Sequence, residues 1–273
     1  MRSAFHTQQK YNYQALCWDQ RRFDAAVKVI FHNDFHRKYA SEPAAATGRM
    51  EAVIECLGDR FEMIKAVAAN PKDIEAVHTT EHIAHVKRRE ELYNMAMLAA
   101  GGAVQAAVIG VSEPAFGLIR PPGHHASQNS AWGFCYFNNM AVALTHLMSG
   151  GQIKTAAVLD FDLHYGDGNV NILSGSGKVE IYNPKESSRK AYLSGVEAFL
   201  KGLKVDVIGV SAGFDNHEKD WGGLLATVDY FTMGQMVKEA SKNIGAGYFG
   251  ILEGGYNHFV LGENVLAFLE GMH

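Results

Sequence analysis

The sequence is poor in the residues that cross-link small secreted proteins or mark flexible linkers. Only three of its 273 residues are cysteine and only six are proline. The odd, widely spaced cysteines (Cys17, Cys56 and Cys135) make no disulfide framework and are typical of a reducing compartment. Because no proline-rich stretch or internal repeat divides the chain, we expect one main domain.

The sequence also lacks a basic excess, a signal peptide and a long apolar run. Lys plus Arg number 25 against 29 Asp plus Glu, so the positive charge that nucleic-acid binding needs is missing. The longest weakly polar run, residues 95–111, predicts a buried helix rather than a membrane span. We therefore expect a cytoplasmic protein with no nucleic-acid or membrane partner, and a homo-oligomer stays open.

Short apolar runs alternate with amphipathic segments along the chain. This alternation predicts a three-layer α/β/α domain with a mostly parallel central sheet. Residues 1–25 are expected to form an N-terminal extension, and residues 26–273 the domain. The predicted strands cover residues 27–31, 74–77, 115–119, 156–161, 179–182, 205–211 and 248–252, and the predicted helices residues 48–57, 81–97, 138–148, 187–200, 228–243 and 262–270.

Polar loops follow four of the predicted strands, and histidine is abundant in them and in the whole chain, at 13 residues. In parallel sheets, ligands bind at the carboxyl ends of the strands, on the loops that follow. We therefore predict a site built from residues 120–126, 160–168, 211–215 and 253–257.

One of these loops has the spacing of a metal site. On an extended strand Asp160, Asp162 and His164 would share one face, so Asp162 and His164 could bind one ion with Asp160 behind them. Asp215, after another strand, is the natural third ligand. Three protein ligands that leave one position open are typical of catalytic zinc.

The remaining loops carry groups suited to acid–base chemistry. His124 and His125 follow a rigid Pro-Pro-Gly turn, and imidazole can accept a proton or stabilise negative charge. Asp160 and Asp167 are candidates to orient them, and Tyr256 could donate a hydrogen bond to an oxyanion. The other histidines of interest are assigned to structure or helix capping (His78, His82 and His85) or to a solvated loop (His217).

Five motifs in this order resemble those of the histone deacetylase and acetylpolyamine amidohydrolase family, which has the arginase/deacetylase fold. They read RPPGHHA (120–126), GFCYFNN (133–139), DFDLHYGDG (160–168), SAGFD (211–215) and LEGGYN (252–257). The resemblance runs from about residue 27 to the C-terminus, and the wording is closest to the class II and bacterial branch.

The resemblance implies a role for each of these loops. It implies zinc, or iron(II) in its place, and also a structural potassium ion near Asp160, which the neighbouring Asn183 and Pro184 leave open. The implied roles are metal ligation by Asp162, His164 and Asp215; general base and acid by His125, oriented by Asp167; electrostatic support by His124 with Asp160; carbonyl binding by Tyr256; and an acyl-lysine tunnel lined by Gly133 and Phe134.

We therefore expect a zinc-dependent amide hydrolase that removes acetyl or similar acyl groups from acetyl-lysine or small acetylated amines. The loop expected to supply a second tunnel aromatic is missing, so an open rim is predicted, with Trp221 as a candidate cover for one side. Two alternatives stay open: an arginase-like dimetal ureohydrolase, and a catalytically silent protein that binds acyl-lysine or metal.

Overall fold

Seven parallel strands form one sheet, in a computed structural model that describes residues 27–273; the expected N-terminal extension, residues 1–25, lies outside the described residues. The strands are β1 (Lys28–Phe31), β2 (Met63–Lys65), β3 (Ala115–Gly117), β4 (Ala156–Asp160), β5 (Val179–Tyr182), β6 (Val207–Ala212) and β7 (Gly247–Leu252). Within residues 27–273, nine α-helices accompany these strands: α1 (Arg49–Leu57), α2 (Pro71–Glu75), α3 (Thr80–Lys87), α4 (Glu90–Gly110), α5 (Asn139–Ser149), α6 (Asp167–Leu173), α7 (Arg189–Gly202), α8 (Thr227–Ile244) and α9 (His258–Met272).

The strand order is β2-β1-β3-β7-β6-β4-β5, and every pair is parallel. The central strands are buried on both faces, which explains why they read as continuous apolar runs rather than as an alternating pattern. The expected three-layer α/β architecture is confirmed.

Neighbouring residues of β7 show which helices cover each face. Phe249 packs against Gly110 of α4, whereas Gly250 lies against Phe268 of α9. Because successive residues of a strand point to opposite faces, α4 and α9 lie on opposite sides of the sheet. Helix α5 packs on α4, and helices α1 and α8 pack on α9.

Helix α4 contains the apolar run of residues 95–111. By length and composition alone it could cross a membrane, but it is largely buried against β1, β3, β7 and α5. Its Ala- and Gly-rich surface allows this close approach, as the sequence predicted.

Two predicted elements differ from the structure. Residues 74–77, predicted as a strand, belong to and follow α2, which begins at Pro71 with Asn70 capping its first turn. The predicted helix 81–97 is two helices, because Arg89 leaves the helical conformation and Glu90 starts a new acidic first turn. The short strand β2 was not predicted, since only one of its three residues is even partly buried.

Candidate metal and catalytic site

The predicted loops meet at the carboxyl edge of the sheet. Asp160 at the end of β4 pairs in register with Ser211 of β6, and Ala212 pairs with Leu252 of β7. The loops that follow these three strands therefore start side by side. The segment after β3 reaches the same edge, because the backbone N–H of Gly123 donates to Glu253 at 2.7 Å.

Asp162, His164 and Asp215 form a compact cluster with ligand atoms within 4.8 Å of one another. His164 Nδ1 lies 3.2 Å from Asp162 Oδ1 and 3.1 Å from Asp215 Oδ2. Strand β4 ends at Asp160, so these side chains converge through bends after the strand rather than along an extended strand as the sequence suggested.

Backbone N–H groups hold the outer oxygens of both carboxylates. Gly254 N–H donates to Asp162 Oδ2 at 2.8 Å, and Leu163 N–H donates to Asp215 Oδ1 at 3.0 Å. Asp215 Oδ2 is buried and receives no backbone donor; it faces His164 Nδ1. At Gly213 a β-carbon would overlap with the Asp162 carboxylate, so only glycine permits this packing.

The electrostatics of the cluster favour a cation. Hydrogen bonds to Asp162 and Asp215 raise the pKa of His164 to about 10, despite its partial burial. The two buried carboxylates thus draw a proton onto an imidazole that could instead bind a metal. An Asp–His–Asp set whose buried carboxylate oxygens converge on one imidazole suits a zinc-like divalent ion. The residues therefore fit the implied metal.

Each adjacent histidine is paired with its own carboxylate. His124 Nδ1 lies 3.2 Å from Asp160 Oδ2, and His125 Nδ1 lies 2.7 Å from Asp167 Oδ1. Asp167 is the first residue of α6, where the helix dipole favours its negative charge. In both pairs Nε2 is left free of the orienting carboxylate.

The two histidines differ in charge because they differ in surroundings. Burial lowers the pKa of His125 to about 4, aided by the charge of His124. Burial also opposes the charge of His124, but the carboxylates of Asp162 and Asp160 outweigh it and hold the His124 pKa well above its usual range. His125 is thus neutral and can accept a proton, whereas His124 is a fixed cation.

Tyr256 is held by residues on both sides of its loop. Asp220 Oδ2 accepts hydrogen bonds from the backbone N–H groups of Tyr256 and Asn257, each at 2.8 Å. The buried Arg49 donates to the carbonyls of Gly255 and Glu253 at 2.8 and 2.6 Å. Burial and the nearby carboxylates raise the pKa of the Tyr256 phenol, so it remains a hydrogen-bond donor at neutral pH.

Two aromatic side chains stand beside Tyr256. The ring of Trp221 stacks on it with centroids 4.1 Å apart, and Phe134 meets it edge-on at 5.8 Å. Phe134 and Trp221 are themselves 6.5 Å apart, and Trp221 is half exposed. Gly133 lies next to His125. Trp221 therefore stands beside Tyr256 as a second aromatic wall, although the loop expected to supply such an aromatic is missing from the sequence.

A second buried group of ligand-type side chains lies beside this cluster: His124, Cys135 and Glu253. Glu253 already accepts hydrogen bonds from Gly123 N–H and Ser211 Oγ, and His124 Nδ1 is paired with Asp160. Glu253 thus joins the segment after β3 to strand β6, and its carboxylate is engaged by protein donors.

Three histidines outside the cluster, His78, His82 and His217, are also buried, whereas His85 is exposed. His78 Nε2 accepts from Asn138 N–H at 2.9 Å, and His82 Nε2 lies 2.7 Å from the Tyr136 carbonyl, in agreement with the expected structural role. The expectation of a solvated His217 was wrong. It is buried, and its Nδ1 accepts from Lys219 N–H at 3.1 Å.

Several residues of the site were missed from the sequence. Arg49 gave no local signal, because its partners lie more than 200 positions away. Trp132 and Asp220 stand next to residues that were singled out, but nothing in the pattern indicated their contacts. Glu253 was noted only as part of a polar loop, although a carboxylate directly after a buried strand was a usable signal.

Comparison with known proteins agrees with this geometry. A histone deacetylase domain model matches residues 43–192, more than half of the chain. A probable deacetylase of Methanothermobacter thermautotrophicus is 29% identical over 89% of this chain and 90% of its own length. One of Archaeoglobus fulgidus is 27% identical over 84% of this chain and 81% of its own.

A solved structure shares the fold. The crystal structure of the HDA15 HD domain superposes with a TM-score of 0.80 at 24% identity, and the match covers 90% of this chain and 89% of that one.

Proposed function

The chain belongs to the histone deacetylase family of hydrolases, and we propose that it removes acetyl or similar acyl groups from amides with one divalent metal ion held by Asp162, His164 and Asp215. The observation that carries this proposal is the placement of that cluster beside the His125–Asp167 pair. His125 and His164 have ring centroids 5.9 Å apart, so a proton acceptor and a metal site face the same space.

Zinc bound there would polarise the amide carbonyl and make water a better nucleophile near neutral pH. His125 accepts the proton of the attacking water at Nε2, because Nδ1 is directed at Asp167. It then gives that proton to the leaving nitrogen. The orienting carboxylate stabilises the imidazolium that exists between the two transfers.

Tyr256 acts on the negative charge that develops on the carbonyl oxygen, and His124 acts on the charge of the neighbouring carboxylates. The neutral phenol of Tyr256 donates a hydrogen bond that strengthens as the oxygen becomes negative. His124 is a buried cation 3.7 Å from Asp162 and balances the charge of the carboxylates. Asp160 Oδ1 is buried with no hydrogen bond, and this unused acceptor supports the proposed potassium site.

For the substrate we propose acetyl-lysine side chains and small acetylated amines, with weak discrimination among them. Phe134 and Trp221 supply apolar walls for an alkyl chain. Of the two carboxylates in this loop, Asp220 is engaged by two backbone N–H groups and the exposed Glu218 is followed directly by Lys219, so the loop offers little net negative charge to select a polyamine.

The proposal is tested by turnover. The purified chain is stripped with a chelator, reloaded with zinc or iron(II), and assayed on an acetyl-lysine peptide, acetylputrescine and a small acetamide. We expect hydrolysis that disappears with the metal and returns with it. Urea release from guanidino compounds with two ions per chain would favour the ureohydrolase, and absence of turnover on every amide would favour the silent binder.

A further inference from the structure

Trp132 contacts both members of the His125–Asp167 pair. Its indole Nε1 donates to Asp167 Oδ2 at 2.9 Å, while the other oxygen of Asp167 holds His125. Its ring lies over the imidazole of His125, with centroids 3.8 Å apart and planes inclined by 30°. One side chain therefore restrains a carboxylate and the imidazole that this carboxylate orients.

Core packing does not explain this position. Trp132 is 55% exposed, and it belongs to none of the buried apolar positions of the domain. The indole N–H and the ring face of this half-exposed tryptophan are instead used in the two contacts to Asp167 and His125. Both contacts are made to the same proton-transfer pair.

The geometry gives the second hydrogen bond a definite effect. Rotation of an aspartate carboxylate about its last torsion is broad, and a single hydrogen bond to His125 leaves the plane of Asp167 loosely fixed. A donor on each oxygen fixes that plane. The Trp132 indole, stacked on one face of the His125 imidazole, limits tilting of that ring.

The backbone holds Trp132 in place for these contacts. The Trp132 carbonyl accepts from Cys135 N–H at 3.0 Å and closes a tight turn. Gly133 has φ of +58°, and a β-carbon there would overlap with the His125 ring. The turn therefore brings the residue before Gly133 directly against His125.

We propose that Trp132 is a positioning residue of the reaction, acting through Asp167 and the His125 ring to keep Nε2 aimed at the water and leaving group. This inference rests on the proposed function. It predicts a loss in kcat rather than in substrate binding, because the residue touches the proton-transfer pair.

The test compares three substitutions in the metal-loaded chain. Trp132→Phe keeps a stacked ring but removes the donor, and Trp132→Leu removes both. Asn171→Ala is the matched control, since Asn171 donates an exposed hydrogen bond from α6 to Ser127 and joins the same two segments away from the pair. We expect kcat to fall about tenfold for Trp132→Phe and further for Trp132→Leu, with KM within about twofold, and no change for the control.

A double-mutant cycle separates positioning from general loop support. In an Asp167→Ala background Trp132→Phe should have little further effect on kcat, because its contact is already gone. Effects that multiply, or a rise in KM at unchanged kcat, would overturn the proposal.

A second measurement does not depend on turnover. In ¹H–¹⁵N spectra the Trp132 indole resonance, identified by its loss in Trp132→Phe, should shift strongly on Asp167→Ala and not on Asn171→Ala. A Trp132 indole resonance whose chemical shift does not change on Asp167→Ala would refute the contact. A wild-type chain without amide turnover would instead contradict the proposed function, while turnover unaffected by Trp132→Phe would contradict only the role of Trp132.

Discussion

Two adjacent histidines of this site differ in charge: one is a cation and the other is neutral. His124 is surrounded by the carboxylates of Asp160 and Asp162 and stays protonated, whereas burial, aided by that neighbouring cation, lowers the pKa of His125 and keeps it neutral. A proton acceptor and a fixed positive charge thus arise from one His-His dipeptide. The partners, rather than the histidines, determine which is which.

The hydroxyl of Tyr256 should matter in the transition state. Replacing Tyr256 with Phe removes one donor to the developing oxyanion, and such a loss costs about 10²–10³ in kcat. Metal content and fold should not change, because the backbone of the loop is held by Asp220 and Arg49. Steady-state kinetics with metal analysis on the same sample checks this.

Tyr248→Phe is the control for the loss of a tyrosine hydroxyl, since Tyr248 lies in β7, the strand before the Tyr256 loop, and its hydroxyl donates to the Met272 carbonyl away from the site. We expect it to keep wild-type kcat. A Tyr256→Phe variant as fast as wild type would remove Tyr256 from the mechanism.

The residues predicted from sequence are those whose partners are local or follow strands. Asp162, His164 and Asp215 could be placed together because the ends of parallel strands share one edge. Arg49 and Trp132 could not, because their contacts depend on how a helix and a turn pack against remote loops. Trp221 was expected only as a cover for the mouth, and its stacking on Tyr256 follows from tertiary packing.

At the level of elements, helix α5 and the loop before it depend on one buried histidine. His78 Nε2 accepts the N–H of Asn138, the residue that caps α5, and Nδ1 lies 2.9 Å from the Ser127 carbonyl. This arrangement needs a neutral imidazole that donates from Nδ1. It joins the two ends of the segment that carries Gly133 and Phe134.

This histidine should make stability fall in acid. Burial, aided by the charge of His82, lowers the His78 pKa to about 4 in the folded state, against about 6.5 in the unfolded chain. Below pH 6.5 His78 therefore binds a proton in the unfolded chain but not in the folded chain. The free energy of unfolding should drop by up to about 3 kcal/mol between pH 6.5 and 4, with no contribution at higher pH.

Denaturant unfolding at several pH values, with wild type beside His78→Gln, measures this effect. The variant should show a smaller decrease in unfolding free energy over that range. His85→Gln, which removes an exposed histidine of α3, controls for the substitution itself. Identical pH slopes in wild type and His78→Gln would show that His78 is not held neutral.

Element boundaries were less predictable than element types. Six of the seven strands in the described residues agree with predicted apolar runs. Residues 74–77 are predicted as a strand because a short apolar run looks the same in sequence whether it forms a strand or part of a short helix. The break between α3 and α4 also lacks a glycine or proline. It had no strong sequence signal.

At the scale of the whole molecule, the strand order places β3, β7, β6 and β4 side by side and so assembles the site from the loops that follow them, between residues 120 and 257. No single segment contains it. The N–H groups that hold Asp162 and Asp215 come from different loops, so the metal cluster and the fold of this edge depend on each other.

The shape of the entrance bears on substrate choice. Trp221 and Phe134 form apolar walls; in the nearby loop Asp220 is engaged by backbone N–H groups, and Lys219 offsets the charge of Glu218. We expect values of kcat/KM for an acetyl-lysine peptide and acetylputrescine to differ by less than about 10³-fold, or roughly 4 kcal/mol of transition-state binding. A larger preference in parallel assays would refute a permissive entrance.

Metal content and turnover of wild type and Asp215→Ala, measured on the same preparations, test most directly whether Asp162, His164 and Asp215 hold the catalytic ion. Wild type should contain one divalent ion per chain and hydrolyse acetylated amines. Asp215→Ala should lose both, because two ligands remain and the buried oxygen that faces them is gone. Full metal occupancy in Asp215→Ala, or turnover that survives metal removal, would contradict this assignment.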